Sequence, residues 1–121
     1  MTSQGSAYAR FRRALGHDNP TLALAAAAEL PRLGLADALA LCLLLTDEPH
    51  WFDRAVVRWH ARFCLETPDV GVGEAALCLA ALRALGGPAA EAGAQALTVL
   101  CEAKGLGDAA EAVEAWLERR G

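Results

Sequence analysis

Apolar residues recur three and four positions apart along this chain, in segments separated by glycine, proline and small polar residues. That spacing puts each apolar set on one side of an α-helix, whereas a half-buried strand would alternate every second residue. Seven segments carry it. The first runs from about Ser6 to Leu15, with Ser6 as its N-cap and Gly16 as its stop. Asn19-Pro20 opens the second, because asparagine accepts from first-turn N–H groups and proline suits the first helical position; it ends before Pro31. The third spans about Ala36 to Thr46, and the fourth about His50 to Glu66, closed by Pro68. The fifth covers roughly Gly73 to Leu85, where Gly86-Gly87-Pro88 stops it and starts a sixth from Pro88 to Ala103. Asp108 caps the seventh, which continues to Arg119. No segment has the β-branched, period-two pattern of a strand, so the predicted class is all-α, in a single domain over residues 1–121.

A short pattern repeats at three of the helix starts. Gly34-Leu35-Ala36-Asp37-Ala38, Gly71-Val72-Gly73-Glu74-Ala75 and Gly105-Leu106-Gly107-Asp108-Ala109 each give a glycine, an aliphatic residue, a small residue, an acid and an alanine. An acid in that place complements the helix dipole and caps free N–H groups. The copies are 37 and 34 residues apart, the length of a helix, a turn and a second helix. The cysteines keep the same rhythm, with Cys42 and Cys78 separated by 36 residues and Cys64 and Cys101 by 37. In period and helix pairing the chain resembles the HEAT and tetratricopeptide superhelices. The resemblance implies a short right-handed stack of antiparallel helical hairpins closed by the seventh helix; an irregular helix bundle is the alternative. The tetratricopeptide consensus positions are not present in register, so no site residue carries over. In composition the chain is similar to the short Ala, Leu and Arg-rich uncharacterised helical proteins of high-GC bacteria.

Hydrophobic residues make up 55% of the chain, enough to offset the entropy of ordering it. A formal net charge of −4 works against phosphate backbones and anionic lipid, so a nucleic-acid role would need a local basic patch. The start, Met1-Thr2-Ser3-Gln4-Gly5, is polar and lacks the basic and apolar regions of a secretory signal, which points to the cytoplasm. The most apolar stretch, Leu22 to Leu45, is broken by Glu29, Pro31, Arg32 and Asp37, which argues against a membrane span.

Candidate chemistry is sparse. The cysteines lie inside apolar helical runs and no pair has the two-residue gap of a zinc knuckle, so packing is their expected role. His60 and Cys64, four residues apart, share a helix face and make half of a thiol or metal site, the basis of a thiol- or metal-dependent sensor as one alternative function. The only serines are Ser3 and Ser6, and no phosphate-cradling glycine loop occurs, so the expectation is a non-enzymatic protein with no cofactor and no metal.

The fourth helix carries the sharpest pattern. Phe52, Val56, Trp59 and Phe63 form its core-facing stripe. Trp51, Arg54, Arg58 and Arg62 fall together on the other side, within about a third of the circumference at about 100° per residue. Tryptophan and arginine are the residue types most enriched at interface hot spots, which points to binding of an unknown protein or acidic peptide through this face. Set against that, Arg62 can pair with Glu66, Arg58 can stack over Trp51, and the row would then be a solvated face. Tyr8, Arg10, Phe11, Arg12 and Arg13 form a second basic-aromatic cluster; joined to the first, it would make a nucleic-acid surface, the other alternative function. The run Leu43-Leu44-Leu45 must be covered on several sides, either within the chain or by a second copy in a homo-oligomer.

Overall fold

The computed structural model describes residues 3–120; Met1 and Thr2, at the polar start considered above, and Gly121 lie outside the described residues. Seven helices follow one another: α1 (Ser3–Gly16), α2 (Pro20–Ala28), α3 (Leu35–Leu44), α4 (Pro49–Glu66), α5 (Val72–Ala84), α6 (Ala90–Ala103) and α7 (Gly107–Arg120). The described residues contain no strand, and no helix is long and apolar enough to cross a membrane.

Local signals set most helix boundaries. The Asn19 side chain accepts from the Leu22 N–H at 3.1 Å and Pro20 follows as the first helical residue, as the sequence pattern required for α2. Three boundaries differ from expectation. Ser6 lies inside α1 rather than capping it, since the helix begins at Ser3. Pro88 belongs to the turn before α6, whose first residue is Ala90. Asp108 sits in the first turn of α7 and does not precede it; the chain turns at Gly105, whose φ of 76° is open to glycine at no steric cost.

The helices close on themselves. α4 packs on α3, α5 on α4, α6 on α5, α7 on α6, and α7 returns to α3. In a stack of hairpins each helix would also meet the second one along the chain, yet α3 and α5, α4 and α6, and α5 and α7 do not touch. From α3 to α7 the contacts therefore describe a closed ring of five helices, and the expected stack of hairpins is not confirmed. Each copy of the repeated pattern does lie at a helix start, but its acid serves differently each time. Glu74 accepts from the Gly71 N–H at 2.9 Å, Asp37 accepts from Tyr8 and Arg12, and Asp108 is exposed.

Inside the ring lies the main core, with Leu39 and Leu43 from α3, Val56, Trp59 and Phe63 from α4, Leu82 from α5, Leu97 from α6 and Val113 from α7. Trp59, the largest of these, stacks on Phe63 with ring centroids 5.6 Å apart and donates its indole N–H to the Leu35 carbonyl at 2.8 Å. That bond ties α4 to the start of α3. α1 and α2 form a hairpin against the other side of α3, around Phe11, Ala14, Ala23 and Ala26, with Leu41 and Leu44 reaching into this smaller core. The leucine run is thus covered within one chain: ring and hairpin between them enclose α3, so Leu43-Leu44-Leu45 does not call for a second copy.

Candidate functional site

α4 is the longest helix, and its inward stripe holds it in place: Phe52, Val56, Trp59 and Phe63 are all buried. Burying four large side chains on one side fixes the rotation of the helix, so Trp51, Arg54 and Arg58 point away from the core and are exposed. Arg54 stacks its guanidinium over Trp51, 5.6 Å from the ring centroid, and the other face of this corner is filled by His50, edge-on to Trp51 at 5.5 Å. It is Arg54, three residues on, and not Arg58 that covers the indole, because a separation of seven residues spans two turns. Trp51 nonetheless remains 46% exposed, and neither Arg54 nor Arg58 has an ion-pair partner among the described residues.

Arg62 differs. It donates to Glu66 at 2.8 Å through Nε, and Arg32, from the segment between α2 and α3, reaches the same carboxylate. The hydrogen bond from Arg62, with Arg32 beside it, holds the Glu66 carboxyl below its ordinary range. Arg62 is therefore spent on structure, and the face with free cations contracts to Trp51, Arg54 and Arg58.

Two of the three arginines of the N-terminal cluster are neutralised. Arg10 makes a two-pronged pair with Glu29, both bonds 2.8 Å, and Arg12 pairs with Asp37 at 2.8 Å while Tyr8 donates to the same carboxylate at 2.7 Å. α1 and α4 share no contact, so these arginines do not continue the α4 face. Tyr8 and Arg12 stand instead at a cleft of about 850 Å³ between α1, the start of α3 and the α6–α7 turn. Two copies of the repeated pattern meet across it, and its carboxylates, Asp37, Asp108 and Glu111, outnumber its one cation, Arg12, which disfavours an anionic ligand.

The thiols are packed. Cys42, Cys78 and Cys101 are buried, and desolvation pushes their pKa values up, to about 12, about 12 and about 11. Cys64 is half-buried, 3.7 Å from His60 Nε2. That same nitrogen lies 2.7 Å from the Ala75 carbonyl, which only accepts, so Nε2 carries the proton and cannot take one from Cys64. Among the described residues, no three His, Cys, Asp or Glu side chains gather so as to hold a metal ion. Ellman's reagent at pH 8 should therefore modify Cys64 first, with Cys42, Cys78 and Cys101 reacting only on unfolding. Rapid modification of all the thiols in the folded protein would contradict the packing described here.

Two features of this region were not visible along the sequence. Leu65 and Val57 lie on the outward side of α4 beside the arginines, and α5 next to it exposes Val72 and Leu77. α5 is apolar nearly all round, a signal of burial on all sides, yet only α4 and α6 cover it. No family model, no curated protein and no solved structure matches the chain.

Proposed function

We propose that this chain is a non-enzymatic protein-interaction module that engages its partner through the outward face of α4. The observation that carries this reading is a pair of arginines, Arg54 and Arg58, without ion-pair partners beside a half-exposed tryptophan on a helix whose rotation the core fixes. Arg13, Arg83, Arg119 and Arg120 also lack ion-pair partners among the described residues, but only Arg54 and Arg58 share an outward helix face with an exposed tryptophan, Trp59 and Trp116 being buried. Tryptophan gives contact area at little entropic cost, and arginine a planar fork that matches a carboxylate, so the chemistry favours an acidic segment of a protein. A cytoplasmic setting fits four unpaired thiols.

Nucleic-acid binding is the weaker reading. The net charge of −4 opposes it, and the two arginine clusters that would have to combine belong to helices that do not touch. Arg58→Ala should weaken capture of the partner by roughly tenfold while leaving helicity and melting temperature unchanged, since the side chain is exposed. The check is affinity capture with wild type and variant side by side; equal capture by both would remove this face from consideration.

A further inference from the structure

α5 is the element whose sequence and surroundings agree least. Its inward residues Cys78, Ala81 and Leu82 are buried, while Val72, Ala76, Leu77 and Ala80 are exposed. The exposed apolar surface is concentrated here. Of the eight large apolar side chains exposed among the described residues, five (Trp51, Val57, Leu65, Val72 and Leu77) are on α4 or α5. The two helices form a hairpin through the link 67–71, and the bond from His60 Nε2 to the Ala75 carbonyl sets their register. Near the link, Leu65 on α4 and Val72 on α5 are 85% and 89% exposed. Ala61 and Ala76, both exposed, occupy the level of the bond itself, and their small side chains leave a shallow seam.

Charge tells what the seam fits. Arg54 and Arg58 lie on the outward face of α4, and Arg83 is exposed on α5; none of the three has an ion-pair partner among the described residues. Asp53 is exposed near the same end of α4, and Glu66, at the other, is neutralised by Arg62 and Arg32. We propose that the α4–α5 seam seats an amphipathic, acidic α-helix from a different protein. Its apolar side covers Leu65, Val72 and Val57, and its carboxylates reach Arg54, Arg58 and Arg83. This rests on the interaction reading above and adds the form and charge of the partner, an apolar helix face laid in a groove.

A second copy of this chain fits less well. The same face of a second copy would bring three more unpaired arginines with Asp53 and no surplus of free carboxylates, so the two faces would carry like charge. An anionic membrane also attracts exposed apolar and basic residues together, but a net charge of −4 works against approach to such a surface.

The test is selection of displayed random peptides of about twenty residues on the wild-type protein, followed by affinity measurement on Leu65→Ser/Val72→Ser and Arg58→Ala. Both sites of the double variant are exposed, and circular dichroism confirms equal helicity. The expected winners are net acidic, with apolar residues at i, i+3, i+4 and i+7, and lose about tenfold in affinity on each variant. Peptides that are basic, or that lack helical periodicity, overturn the proposal, as does the absence of any enriched peptide. Peptides weakened by Arg58→Ala but not by Leu65→Ser/Val72→Ser would leave the α4 face as an interface and refute the helix seat. Peptides indifferent to both variants would sink both readings. Retention on phosphatidylserine vesicles that Leu65→Ser/Val72→Ser abolishes would overturn the proposal in favour of a lipid surface.

Discussion

Trp59→Ala should destabilise the fold by about 4 kcal/mol, close to the whole margin of many small domains. Trp59 is 2% exposed, fills the middle of the ring, stacks on Phe63 and holds the Leu35 carbonyl at the start of α3. Truncation removes both the ring and the bond between helices, and the ring of five helices has no other element that can collapse into the space. Trp59→Phe separates the two losses, because it keeps an aromatic body and removes only the indole bond to the Leu35 carbonyl, which still accepts within α3, at a cost of about 1 kcal/mol. Urea unfolding followed by circular dichroism measures both variants. By contrast Trp51→Ala, at a half-exposed position, should stay within about 0.5 kcal/mol of wild type. Equal effects at Trp51 and Trp59 would mean that the two faces of α4 are assigned wrongly.

Gly93→Val should cost about 3 kcal/mol and lower the melting temperature by roughly 10 °C. Gly93 is on α6 where it crosses α5, and a Cβ there would come 2.7 Å from the Ala81 carbonyl oxygen and 2.8 Å from the Ala84 Cβ. The obstacle is backbone and a short side chain, so it cannot swing aside, and α5 and α6 must separate. Helix propensity favours valine over glycine by about 0.3 kcal/mol, so a loss of stability isolates the packing effect. A variant as stable as wild type in a thermal melt would show that α5 and α6 are not in contact at Gly93.

Trp59 lies in the part of the fold that the sequence made readable, whereas the close approach of α5 at Gly93 shows only in the packing. The stripe Phe52, Val56, Trp59 and Phe63 recurs at helical spacing and is buried throughout, and the inward residues Ala109, Ala110, Val113 and Trp116 of α7 follow the same rule. Periodicity reports which side of a helix faces other protein. It does not report which helix that side meets. The closure of α7 onto α3 joins segments more than sixty residues apart, and nothing in the spacing of apolar residues selects it over a stack.

The candidate site was legible to the same degree. The wheel placed Trp51, Arg54, Arg58 and Arg62 on one outward face, and Glu66, four residues beyond Arg62, was visible as its partner. That Arg32 also claims Glu66, from a loop far off in the sequence, depends on how α2, α3 and α4 pack. The same holds for Arg10 and Arg12, whose partners Glu29 and Asp37 belong to other segments of the chain. A run of arginines in sequence looks like a basic patch; pairing took up Arg10 and Arg12 of one run and Arg62 of the other, and left Arg13, Arg54 and Arg58 open. The apolar seam between α4 and α5 was hidden for a related reason, since an apolar helix in sequence carries no mark of which side its neighbours leave bare.

Hydroxyl-radical footprinting of the side chains, with and without the captured partner, tests the central claim most directly. Trp51, Leu65 and Val72 should lose reactivity in the complex, while Tyr8 and Leu22, exposed on the α1–α2 hairpin, should keep theirs. Protection of Tyr8 and Leu22 with Trp51 and Leu65 unchanged would place the interface elsewhere and contradict the account.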